Sequence, residues 1–161
     1  MNKLHNPKQW AKIALASMVI SAIAHQYNTF SPLHEYFHFL HYESQGKFIS
    51  WTWSEVKVTE SDPVGLTRGF YGESATYAWI FGTVLIFTNN PIFTPIVIGW
   101  AAGCFFSAWE YGHNSTDFAK FKVLTAHKLP PNAIHEHYNL HMTVCLARMA
   151  IALFIWYKRR F

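Results

Sequence analysis

The sequence predicts a mainly α-helical polytopic membrane bundle with a small β element, and three observations carry that expectation. Of its 161 residues, 51% are hydrophobic and 18% aromatic, while only 14% are charged, against about 25% charged in an average globular domain. The basic charge gathers at the two ends, in Lys3, Lys8 and Lys12 and again in Lys158, Arg159 and Arg160. Between those ends lie four long apolar runs separated by turn residues. A water-facing surface of this size needs more charge, whereas a lipid-facing one needs none.

The first run extends from Trp10 to about Ala24, which at roughly 17 residues is short for a spanning helix. A basic start before an apolar stretch resembles a signal peptide, but no small-residue cleavage site follows cleanly, so an uncleaved first span is expected. Asn28, Thr29 and Phe30 lead into Ser31-Pro32, an N-cap serine followed by proline at the first helical position. The helix opened there runs from Leu33 to about Tyr42 and is closed by Gly46. From Lys47 to Thr59 the period changes: Ile49, Trp51 and Trp53 alternate with Ser50, Thr52 and Ser54, which predicts one or two strands. Ser61-Asp62-Pro63 and Gly65 are expected to form a loop.

A second apolar run covers about Phe70 to Phe87, Asn89-Asn90-Pro91 makes a turn, and a third run goes from Ile92 to Trp109. Glu110 to Asn139 is polar and includes Pro130-Pro131. A last run goes from about Met142 to Tyr157 and contains Arg148. Four spans return the C-terminus to the side of the N-terminus, and basic flanks at both ends predict a cytoplasmic location for both. The motif helix is too short to cross alone, so it dips into the membrane or prolongs the first span. Irregular backbone at that depth requires protein or a wet cavity around it.

The length suits a single domain, residues 1–161, and no internal repeat is visible. No basic face with interleaved aromatics exists, which argues against nucleic acid as a partner. Cys104 and Cys145 each lie inside an apolar run without a CxxC pair, and are expected to be buried hydrophobes.

His34-Glu35-Tyr36-Phe37-His38 matches H-E-x-x-H. Residues four apart share a helix face, so both imidazoles can reach one metal ion at about 2.0–2.1 Å. Glu35 sits beside the first ligand, placed to hold a metal-bound water and take its proton. With ten His and seven Glu in the chain, about 0.03 chance matches to this pattern are expected. An ionisable triplet at membrane depth is costly, which favours chemistry over packing. A catalytic zinc needs a third protein ligand and an open position; Asp117, Glu73, His41, His113 and the cluster His135, His137 and His141 are the candidates. Capping competes as a role for Asp117, and a first-turn acid favoured by the helix dipole for Glu73. His41, one turn past His38, either supports the ligands or faces substrate, or is more simply an interfacial histidine.

The order of a short apolar span, the His34-Glu35-x-x-His38 helix, a strand-forming stretch, a glycine-led second span, and a third span followed by Asn114 and Asp117 resembles the site-2 protease family of intramembrane metalloproteases. The likeness covers roughly Leu33 to Asp117. It implies zinc held by His34, His38 and a distant aspartate matching Asp117, with Glu35 as general base and a transmembrane segment of a membrane protein as substrate. The chain departs from the family pattern where Asp117 is followed by Phe118 rather than glycine, and where Gly72-Glu73 replaces Gly-Pro. Glu73 therefore stays open as an alternative third ligand, and Asn114 or His41 as helpers at the oxyanion. If peptide hydrolysis is the reaction, the strands at Lys47 to Thr59 could pair with an unwound substrate; an aromatic belt at the membrane interface, from Trp51 and Trp53, explains them equally well.

Two other readings remain. One is a di-iron oxygenase using His34, His38 and His41 with His135, His137 and His141, although adjacent His-His pairs are missing and Glu35 would be idle. The other is a non-catalytic haem or metal carrier with His25 and His141 as axial ligands, although no CxxCH is present. Neither the roles of His113, His127 and the late histidine cluster nor the oligomeric state can be read from the sequence.

Overall fold

The computed structural model describes residues 7–27, 31–88, 90, 92–126, 128–130 and 132–160. Lys3, Asn28, Thr29, Phe30, Asn89, Pro91, His127 and Pro131, all invoked above, lie outside them. Among the described residues the chain forms six helices and one two-stranded sheet: α1 (Pro7–Gln26), α2 (Ser31–Ser44), β1 (Phe48–Thr52), β2 (Glu55–Val58), α3 (Pro63–Phe87), α4 (Phe93–Asn114), α5 (Thr116–Thr125) and α6 (Ala133–Lys158). Mainly helical with a small β element is therefore the observed class. One helix, α6, is long and apolar enough to cross a membrane by length and hydropathy.

The ends of these elements follow local chemistry. Helix α2 begins at Ser31 and includes it, and Gly46, at φ 68°, turns the chain into β1. Thr52 and Glu55 close an antiparallel hairpin around the two-residue turn Trp53-Ser54, with Trp51 opposite Val56. The loop expected at 61–65 is instead the start of α3. Asp62 is its N-cap, accepting from Gly65 N at 2.8 Å, and Pro63 is the first helical residue. An acid cap followed by proline is a strong helix start, so the apolar run from Phe70 marks only the later part of a longer helix. The polar segment after Glu110 contains a further helix, α5, capped by Ser115, whose hydroxyl accepts from Phe118 N at 3.2 Å.

Helix α1 lies along α4, and that contact is made by small residues. Ser17 Oγ donates to Ile96 O at 2.8 Å and Ser21 Oγ to Trp100 O at 3.0 Å. A Cβ added at Gly99 would collide with the Ala14 carbonyl, and one at Gly103 with Ser21 Oγ. Close backbone approach through small residues four apart, with serine hydroxyls bonding across, is how helices associate in lipid. Helix α3 stands between α4 and α6, and its face toward α2 carries Gly65, Gly69 and Gly72. These glycines seat Tyr42, the His34–His38 pair and Phe37 respectively.

Two buried apolar clusters result. One holds Leu85, Val97, Ala152 and Trp156, at the end of the bundle where α1 begins and α6 ends. The larger, with Phe70, Phe105, Phe118, Tyr138 and Met142, supports the opposite end, where α2, the hairpin and α5 gather. An aromatic set of Tyr36, Phe39, Phe48 and Trp51 fixes the hairpin to α2, with Phe39 and Trp51 stacked at 5.4 Å. His34, Glu35, His38, Glu73 and Asp117 thus gather toward one end of a helical bundle.

A candidate metal centre

The i, i+4 spacing on α2 turns His34 and His38 to one side, and both are 5% exposed. Asp117, in the first turn of α5, reaches between them. Its Oδ2 lies 3.4 Å from His34 Nε2 and 3.1 Å from His38 Nε2, and the two Nε2 atoms are 3.1 Å apart. These three residues form a group able to hold a metal ion. With Ser115 serving as the α5 cap, the Asp117 carboxylate is left for this contact.

Protons decide what such a cluster needs. His38 Nδ1 lies 2.8 Å from the Gly65 carbonyl, which can only accept, so that nitrogen carries the hydrogen. His34 Nδ1 lies 3.1 Å from Glu73 Oε2, another acceptor. With both rings neutral, each would turn an Nε2 lone pair toward Asp117 Oδ2, and three acceptor atoms would converge with no hydrogen between them. A positive centre, a metal ion or a proton, relieves that arrangement. A tetrahedral ion bound at about 2.0–2.1 Å needs ligand atoms about 3.3–3.4 Å apart, close to the separations found. The donor set of two imidazoles and one carboxylate fits zinc with an open fourth position.

The titrating groups respond accordingly. For His34, burial would lower the pKa, but the carboxylates of Asp117 and Glu73 outweigh it and raise it to about 9. Burial would raise Asp117, yet hydrogen bonds from the two histidines hold it well below the usual carboxylate range. A proton thus takes the positive role between these ligands. Glu35, 7% exposed, is pushed upward by burial, with His38 and His34 pulling against that shift. A general base needs a pKa moved toward the working pH.

A cleft of about 350 Å³ opens over these groups, lined by Glu35, His38, Val56, Tyr111, Asp117 and Lys120, among others. Glu35 Oε2 accepts from Val56 N at 2.9 Å. In a sheet of two strands that amide belongs to the unpaired edge of β2, so the free edge borders the cleft. The Tyr111 ring meets His34 edge-on at 4.9 Å.

The remaining sequence-derived residues fall elsewhere. Glu73 lies behind His34, on the ring nitrogen that faces away from the cluster. His41 Nε2 is 3.1 Å from both oxygens of Asp62, and Asn114 is exposed and donates to Glu110 Oε1 at 3.2 Å; neither lines the cleft. His113 and His135 stack on each other at 4.9 Å, and His141 meets Ser74 Oγ at 2.9 Å. Tyr111 and Gly69 escaped sequence reasoning, and His25, expected only as an axial ligand of a haem or metal carrier, instead meets Glu73. The spacing of Gly65, Gly69 and Gly72 could have signalled a face of α3 kept clear for another helix. No family model, curated protein or solved structure matches this chain.

Proposed function

We propose that the chain is a multi-pass membrane zinc protease that hydrolyses a peptide bond in or near a transmembrane segment of a membrane-protein substrate. The observation that carries this reading is the convergence of three acceptor atoms from His34, His38 and Asp117 beside a buried glutamate, within an open cleft. When bound, zinc supplies Lewis acidity that makes hydroxide available near neutral pH.

The chain's own groups would do the following. Glu35 takes the proton of the attacking water and returns it to the leaving amine. Tyr111 presents a phenol to the cleft against His34, and we assign it the oxyanion contact that neither Asn114 nor His41 is placed to make. The β2 edge beside Val56, whose own N–H is held by Glu35, would offer its remaining main-chain groups to an extended substrate, which must unwind for its carbonyl to be reached.

The membrane part of the reading rests on surface chemistry. Large apolar residues are exposed along all four long helices, among them Leu15, Ile20, Trp79, Phe106, Ile151 and Phe154. Helices α1, α3, α4 and α6 contain 20, 25, 22 and 26 residues. At about 1.5 Å per residue each reaches roughly 30 Å or more, the thickness of a hydrocarbon core. Lys8, Lys12, Lys158 and Arg159 share the end away from the cleft, and by the positive-inside rule we assign that end to the cytoplasmic side.

A single three-ligand group among the described residues favours one ion per chain over a di-iron centre. Metal analysis of the detergent-purified protein should give one zinc per chain. Glu35→Gln should keep the zinc and lose cleavage of a tagged transmembrane reporter, whereas His38→Ala should lose both. Two irons per chain, or near-normal cleavage by the Glu35 variant, overturns the assignment.

A further inference from the structure

We propose that Glu73 and His25 are positioning residues of the metal centre, acting on His34 from behind through a buried chain of hydrogen bonds. This rests on the zinc reading above and deepens it, because neither residue faces the cleft.

Glu73 is 2% exposed, deep in the contact between α3 and its neighbours. Each of its oxygens is committed. Oε2 faces His34 Nδ1 at 3.1 Å, while Oε1 faces His25 Nε2 at 2.8 Å and accepts the Tyr77 hydroxyl at 2.5 Å. Leaving a carboxylate this buried is costly unless donors surround it, and here they come from α1, α2 and α3. If the carboxylate served packing alone, a neutral side chain of equal size would serve as well.

The direction of the hydrogen bond at His34 gives the carboxylate a purpose. By accepting from Nδ1–H, Glu73 fixes the tautomer that leaves Nε2 bare toward Asp117, and it makes that nitrogen more basic. His38 receives the same service from the Gly65 carbonyl, a neutral and therefore weaker acceptor. The two ligands are thus held unequally, His34 by a charge and His38 by a dipole. His25 donates to the other oxygen and keeps the carboxylate from rotating away. Helix α1 carries no member of the three-ligand group, yet through His25 it sets the orientation of one.

Substitution separates orientation from packing. Glu73→Gln preserves volume, but its amide cannot accept from both His34 and the His25–Tyr77 pair. His25→Leu removes the donor to Oε1, while His25→Gln restores an N–H there. The test measures zinc affinity of the full-length chain in detergent by chelator competition, and the ligand-field spectrum of the cobalt-substituted protein, with melting curves as a check on folding. Glu73→Gln is expected to weaken zinc binding about 10–100-fold and to shift the cobalt bands. His25→Leu should weaken binding less, and His25→Gln should return it toward wild type. Wild-type affinity and spectrum in both Glu73→Gln and His25→Leu overturn the proposal while leaving the zinc site intact. A variant too unstable to load zinc is replaced by Glu73→Asp, whose shorter carboxylate must bind zinc more weakly than wild type. If the wild-type chain itself binds no zinc, the function reading fails first and the positioning roles fall with it.

Discussion

At the scale of single residues, the site combines groups that want opposite things. His34 binds a proton tightly, up to a pKa of about 9, because two carboxylates face it. A folded pKa raised above the ordinary 6.5 stabilises the metal-free fold fully below that value, and the contribution fades as pH climbs through about 9. Asp117, held low, contributes above the normal carboxylate range and loses its contribution only in strong acid. Chelator-treated protein should therefore melt at progressively lower temperature between pH 7 and pH 10. Zinc competes with the same proton, so the rise in melting temperature on adding zinc should grow over the same interval; a zinc effect independent of pH would contradict this linkage. Gly69 sets a second residue-scale limit. A methyl group there would collide with His34 Nε2 and His38 Nε2, so Gly69→Ala should lower zinc stoichiometry in a chain that still folds. Tyr111→Phe should leave zinc content unchanged and lower kcat by about 100-fold, the cost of one oxyanion donor.

At the scale of elements, the cleft depends on how α2, the hairpin and α3 are tied together, and Asp62 makes that tie. It caps α3 through Gly65 N, receives His41 from α2 and receives Lys47 before β1 at 3.3 Å. Burial would raise its pKa, but these donors outweigh burial and lower it. Asp62→Ala should cost about 1 kcal/mol, the worth of an N-cap, and should loosen the hairpin, read as faster amide exchange at Val56. Asp62→Asn keeps the cap and should recover most of the loss. Much of this element was legible beforehand: alternation named the strands, and H-E-x-x-H named two convergent rings. The start of α3 was not, because Asp62-Pro63 reads as a turn when the apolar period begins only at Phe70. Asp117 was expected as third ligand only through a family resemblance, since spacing along the chain cannot show that α5, packed on α3 and α4, brings its first turn to the His34–His38 pair. The role of Glu73 depends on which ring nitrogen it meets, a fact that exists only in three dimensions.

At the scale of the whole molecule, the bundle places the candidate metal centre far from the start of α1 and the end of α6. Glu73 is 14 residues from the Phe87 end of α3, about 21 Å at about 1.5 Å per residue. The basic residues at the other end, with Arg159 donating to Ile86 O and Arg160 to Thr88 O, hold α6 and α3 in register there. Between the two ends α1 is held against α4 by Ser17, Ser21, Gly99 and Gly103, and this is the contact that brings His25 to Glu73. Position 103 has no room for a side chain, because Ser21 Oγ and the Met18 carbonyl occupy it. Gly103→Leu must push α1 away, and His25 moves with it. None of the three proposed metal ligands lies on either helix of that pair. Local damage would therefore lower the melting temperature and leave zinc affinity alone. Transmission through His25 and Glu73 predicts instead that zinc affinity falls together with melting temperature, by about the same factor as in His25→Leu. In the Gly103→Leu/His25→Leu double variant the losses in zinc affinity should not add, since both act through one contact. Additive losses would mean that α1 reaches the metal centre by some other route.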